Sequence, residues 1–299
     1  MVESPGGAIP PPRRSVIEIP PMQFPRSSQT PRTRTFPSER ILLIFLIAGF
    51  CAVNCAGLRP APAPAQTRKT PLPPPQKPVN YSEPPREYEA VPLNGWTIQV
   101  ERQLLSDAPD LAKQALGRLE RKLGEAFAAL PESSHDNLKK LQVFLMYGPK
   151  AKGGGRDNGL EYFQKNAPAS YKSLDPRWGS SVVIYSAENY VWISEFWALK
   201  ALVHEFAHAH QLEQWPEDQP DIYQAWEKAM SRGLYRNVRD DQGKTLDKAW
   251  ATVNQLEYFA ELSCMYFVGC NYHPFNRKEL KTYDPAGYAT IKKMWGAGE

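Results

Sequence analysis

His204-Glu205-Phe206-Ala207-His208 places two imidazoles and a carboxylate within five positions of a 299-residue chain. On a helix, residues i and i+4 share a face one turn apart, so both rings can reach one ion. Glu205, beside the first ring, is placed to hold a water and take its proton. Two histidines leave a catalytic zinc centre one protein ligand short, because such centres use three and keep a fourth position open. Leu256-Glu257-Tyr258-Phe259-Ala260-Glu261-Leu262 offers the candidate. Its stripe of Leu256, Phe259, Ala260, Ser263, Tyr266 and Phe267 reads as a packing face, with Glu257 and Glu261 one turn apart on the border. Like charges at that spacing repel by about 0.2–0.5 kcal/mol even when exposed. One zinc ion for the first carboxylate and a histidine N–H for the second would remove that penalty. The bland alternatives are a hydrogen-bonded core histidine pair and an ordinary acidic helix edge. His210, rotated away from the pair, is expected on the helix surface.

His-Glu-x-x-His followed by Glu-x-Phe-Ala-Glu, with 49 positions from His208 to Glu257, resembles the gluzincin metallopeptidases. It is most similar to the group typified by the catalytic domain of anthrax lethal factor, over roughly residues 180–295. Gly233-Leu-Tyr235 and the tail from Pro274 to Pro285 also resemble secreted proteins of that type. The resemblance implies a zincin-like fold and zinc-dependent hydrolysis of peptide bonds. It implies His204, His208 and Glu257 as ligands, Glu205 as general base, and Glu261 as the carboxylate that orients a ligand histidine. The group carries a tyrosine seven residues before the glutamate ligand, where it stabilises the oxyanion; this chain has Trp250 there. An indole N–H donates a hydrogen bond but cannot supply a proton. Tyr235 is the substitute candidate, with a core role as its alternative.

These residues need a scaffold. Phe196–Val203 is apolar on nearly every face, so the helix expected over 193–214 should be buried. Buried imidazoles and carboxylates are costly unless paired or metal-bound. Further helices are expected over 111–130, 221–230, 255–268 and 285–295, and strands over 96–100, 141–147 and 182–185. Strands before helices predict an α+β domain: a small N-terminal mixed sheet with helices, then a helical C-terminal half. A strand edge, Val182–Tyr185 or the Tyr162-Phe163 region, would take an extended peptide by strand addition. Gly148–Gly155 reads as a mobile rim rather than a phosphate loop, having no Gly-Lys-Ser/Thr.

Of 29 prolines, 19 fall in residues 1–90, so the first third is read as leader and linker. Residues 1–56 contain an apolar run, Ile41–Val53, preceded by Arg26, Arg32, Arg34 and Arg40. At 13 residues it fits a signal-peptide core and is short of the roughly 20 a spanning helix needs. An uncleaved anchor and a buried strand are the alternatives, and lipidation at Cys55 a weaker one. Residues 57–87 read as a Pro/Ala-rich tether and 88–299 as the folded domain. The expected setting is extracytoplasmic, the partner a peptide or protein substrate, and the state a monomer, with membrane contact only through the N-terminus. Charge is nearly balanced, 36 Lys+Arg against 32 Asp+Glu, without a basic stripe, which argues against nucleic acid. Cys264 and Cys270 allow a local bridge or two buried thiols. A non-catalytic extracytoplasmic protein keeping a structural zinc site is the rival reading.

Overall fold

A computed structural model describes residues 79–298; the leader reading and the tether up to residue 78 lie outside the described residues. Strands β1 (Tyr88–Leu93) and β2 (Trp96–Glu101) form a hairpin. Its Asn94-Gly95 corner has both residues at positive φ, 46° and 83°, the conformation a two-residue hairpin turn needs. Helices α1 (Arg102–Asp107), α2 (Pro109–Ala129) and α3 (Glu132–Leu138) lead to β3 (Gln142–Leu145) and β4 (Leu160–Phe163). Helix α4 (Ala167–Ser170), β5 (Ser181–Ile184) and α5 (Ala187–Trp192) follow. Then come α6 (Glu195–Gln214), α7 (Pro220–Ser231), β6 (Arg236–Arg239), β7 (Thr245–Lys248) and a 3-10 turn at Trp250–Thr252. Helices α8 (Gln255–Phe267), α9 (Arg277–Tyr283) and α10 (Pro285–Met294) complete the chain.

The main sheet is mixed, in the order β1-β2-β3-β5-β4. β2, β3 and β5 run parallel; the outer pairings are antiparallel. Alternation sorts its side chains. Val143, Leu145, Val182, Ile184, Leu160 and Tyr162 join the large core shared with α2 and α6. Phe144, Val183, Tyr185 and Phe163 join Trp178 and Tyr81 in a second cluster on the other face. A small mixed sheet followed by helices agrees with the expected α+β class. Among the described residues no helix is long and apolar enough to cross a membrane.

Four expectations need correction. The ordered domain begins before residue 88: Tyr81 packs into the second cluster and Arg86 is buried against Glu101 at 2.8 Å, so residues 79–87 belong to the fold. The Gly148–Gly155 rim is tied down, because Arg86 donates to the carbonyls of Gly153 and Gly154, and just beyond it Arg156 N–H donates to the Tyr81 hydroxyl. β5 is interior, between β3 and β4, so the open edge is β4, the other candidate. The helical half is interrupted by the short β6–β7 hairpin, whose exposed, charged strands lack an apolar alternation to betray them.

Asp284 shows how tightly the C-terminal helices close on α8. It caps α10 through Gly287 N–H and accepts the hydroxyls of Tyr235 and Tyr258 at 2.9 and 2.6 Å. A methyl group at Gly287 would collide with Leu262, the Tyr258 hydroxyl and the Asp284 carboxylate. Gly287→Ala is expected to lower unfolding free energy by about 1–3 kcal/mol, the usual cost of overpacking. Urea denaturation measures it, and a variant as stable as the parent would mean that α10 can slide off this triad.

Candidate metal centre

Helix α6 starts at Ser194, whose hydroxyl accepts from Trp197 N–H. From Lys200 to Gln211 every residue is buried, so the helix lies inside the molecule as its apolar composition requires. Helix α8 starts at Asn254, whose side chain accepts from Glu257 N–H at 2.8 Å. That cap sets the rotation of α8 and thereby aims Glu257. The two helices run antiparallel: Lys200 meets Glu261, and His208 meets Glu257.

Three expected ligands converge. His204 Nε2 lies 3.1 Å from Glu257 Oε2 and 3.1 Å from His208 Nε2; His208 Nε2 is 3.6 Å from the same oxygen. Atoms about 2.0–2.1 Å from a tetrahedral zinc are about 3.3–3.4 Å apart, so the trio has the edge lengths of a zinc cage. Protons cannot satisfy all three contacts. One proton on either Nε2 leaves two lone pairs facing each other, and a proton on both sets N–H against N–H. A single cation satisfies the three together, and these residues are the metal-capable group among the described residues.

Charge points the same way. Glu205, Glu257 and Glu261 are buried carboxylates, and Lys200, 2% exposed, is the ammonium among them. Burial pushes Glu205 toward its neutral form, so Glu257 and Glu261 against Lys200 leave one negative charge, which a bound cation would offset. Without it the field draws a proton onto His204: burial opposes this, but Cys264, Glu257 and Glu261 prevail and raise its pKa well above 6.5. For His208 burial prevails, and its pKa is lowered. Burial would raise Glu257, yet His208 and His204 hold it at about 2.

Glu261 lies 3.0 Å from His204 Nδ1, off the line of the ring N–H, and binds Lys200 Nζ at 2.8 and 3.0 Å. Burial pushes its carboxyl up, but Lys200 and then His204 bring it well below the usual range. Glu205, next to His204, points to the open sheet edge and accepts from Tyr162 N–H at 2.8 Å. Burial pushes its carboxyl up to about 8. Neighbouring Glu161, held by Tyr185 and Arg156, is raised by burial to about 7. A buried carboxylate whose pKa lies near neutrality is suited to accept and return a proton.

Trp250, from the turn before α8, donates its N–H to Glu257 Oε2 at 2.5 Å. The indole is therefore committed to the ligand carboxylate. Tyr235 is fully buried with its hydroxyl on Asp284, so its place is the core alternative and not the oxyanion role. His210 is not on the surface. Its ring stacks on Trp295 at 3.8 Å, Nε2 donates to Met294 O, Gln214 donates to Nδ1, and burial lowers its pKa to about 4. Helix α10 and Trp295 cover the face that the helical wheel leaves outward. Cys264 and Cys270 are both free, buried thiols, the second 3.4 Å from Glu261.

Sequence reasoning passed over Lys200, Asn254, Glu161 and Gln211. Lys200 had a signal: a single cation in an apolar run, one turn before His204. Asn254-x-x-Glu257 is a helix-start pattern that also had one. Comparison with family models, curated proteins and solved structures finds no match, so the functional argument rests on this geometry.

Proposed function

We propose that the chain is an exported zinc metallopeptidase of the gluzincin, zincin-like type, carrying one zinc ion on His204, His208 and Glu257. The observation behind this reading is the convergence of those three ligand atoms beside a buried carboxylate, Glu205, on the same helix. Held by these three residues, a zinc ion would supply Lewis acidity for the scissile carbonyl and for water. Glu205 takes the proton from the attacking water and passes it to the leaving amine. Glu261 and Lys200 hold His204 in place, and Trp250 fixes the Glu257 carboxylate. The β4 edge receives an extended peptide by strand addition, with Tyr162 N–H exchanging Glu205 for a substrate carbonyl. The substrate is a peptide or protein, and the enzyme works as a monomer outside the cytoplasm.

A second reading has an observation in its favour. His204, Glu205, His208 and Glu257 are at most 2% exposed, and Trp250 replaces the oxyanion tyrosine. Both fit a structural zinc site in a non-catalytic protein. Metal analysis of the purified chain and digestion of a denatured-protein peptide library decide between them. The peptidase reading expects about one zinc per chain and cleavage that a chelator stops and zinc restores. Bound zinc without cleavage selects the structural reading, and a chain that retains no divalent ion defeats both.

A further inference from the structure

Both histidine ligands leave a buried Nδ1 without a hydrogen bond; that of His204 has the Glu261 carboxylate 3.0 Å away, off the line of the ring N–H. Two other groups, on α8 and α6, share that condition. Glu257 Oε1 is buried and unpartnered, and so are both amide atoms of Gln211. Gln211 is fully buried. A buried amide left unpaired costs about 1–3 kcal/mol, so a glutamine there demands a reason.

Its position supplies one. At 100° per residue, His204, His208 and Gln211 fall within about 60° of each other on α6, on the stripe that faces the ligand trio. Helical side chains lean toward the N-terminus, so Gln211 lies over the turn that carries His208. The unpaired groups are also complementary. When His208 uses Nε2 as a ligand, Nδ1–H is a donor and needs an acceptor; Gln211 Oε1 is one. Gln211 Nε2 is a donor, and Glu257 Oε1 accepts.

We propose that Gln211 is a positioning residue of the metal centre, its carbonyl oxygen holding His208 in the Nδ1–H tautomer through one buried water. Glu261, 3.0 Å from His204 Nδ1, stands in the corresponding place beside the other ring. An amide at 211 orients the ring without adding a further buried charge. The proposal rests on the metal-site reading above.

The test uses the full chain with Gln211→Leu and Gln211→Glu, the latter keeping an acceptor. Zinc affinity is read by competition with a chelating dye. In the zinc-loaded protein, the 15N resonances of His208 report its tautomer. Gln211→Leu is expected to weaken zinc binding about 10–100-fold, the usual effect of removing such a support. The zinc-free form of that variant should be as stable as the parent or more so, because an unpaired buried amide has been removed. Gln211→Glu should recover most of the affinity. The proposal is overturned if wild type binds zinc and Gln211→Leu binds it within twofold as well. It is equally overturned if the variant destabilises zinc-free and zinc-loaded chains alike, or if His208 carries no proton on Nδ1. Wild type that binds no zinc instead removes the metal-site reading itself.

Discussion

Glu205→Gln is expected to lower peptide cleavage by about 10²–10⁴, the usual contribution of a positioned general base, while zinc content stays at the parental level. The substitution suits the geometry. Glutamine has nearly the same shape, and its carbonyl oxygen can still accept from Tyr162 N–H at the β4 edge, so the helix and strand need not move. What disappears is the ability to take a proton. The variant also replaces a buried carboxylate that burial already pushes toward its neutral form. Its thermal stability should therefore equal or exceed that of the parent. An inactive protein that is no less stable and still loaded separates a chemical role from a structural one. Cleavage within tenfold of the parent would remove Glu205 from the mechanism.

The contrast between what could be read in advance and what could not follows from range. His204, Glu205 and His208 lie within one helical turn, and an apolar run announces that helix, so their shared face is a matter of local geometry. Glu257 and Glu261 are legible for the same reason on α8. Bringing the two helices together is a long-range event: the want of a third ligand nominates the pairing, and the family resemblance supports it. Lys200 is the instructive omission. It is one polar residue in an apolar run, and a lysine on a buried helix must have a charged partner. His210 failed in the opposite direction. The helical wheel correctly turns it away from the ligand pair, but α10 and Trp295 arrive from 80 residues downstream to cover it. Tyr235 likewise could not be assigned to core or site until Asp284 was seen to accept its hydroxyl. The edge of the sheet was ambiguous because strand order is not written in either strand, and topology alone makes β4 the outer one.

Lys200→Met is expected to be the most destabilising single substitution at the centre, costing about 3–5 kcal/mol, because it strands Glu261 as a buried anion. Both partners are essentially inaccessible, at 2% and 0% side-chain exposure, so solvent does not screen the loss. Burial would strip the proton from Lys200, but the Cys270 sulfur and the Glu261 carboxylate more than offset that and raise its pKa. The aromatic faces of Trp197 and Tyr272, 5.1 and 5.8 Å from Nζ, add favourable cation–π contacts. Methionine preserves the stem's packing and deletes the charge, so the measured loss belongs to electrostatics and not to a cavity. The double variant Lys200→Met with Glu261→Gln makes the assignment decisive. With the stranded carboxylate neutralised, at least half of the lost stability should return in denaturant titrations, giving a coupling energy of roughly 2 kcal/mol or more. If Lys200→Met costs less than about 1 kcal/mol, or the two substitutions simply add, Glu261 is not an anion that depends on Lys200. In that case the buried charge balance around the ligand trio would have to be recounted.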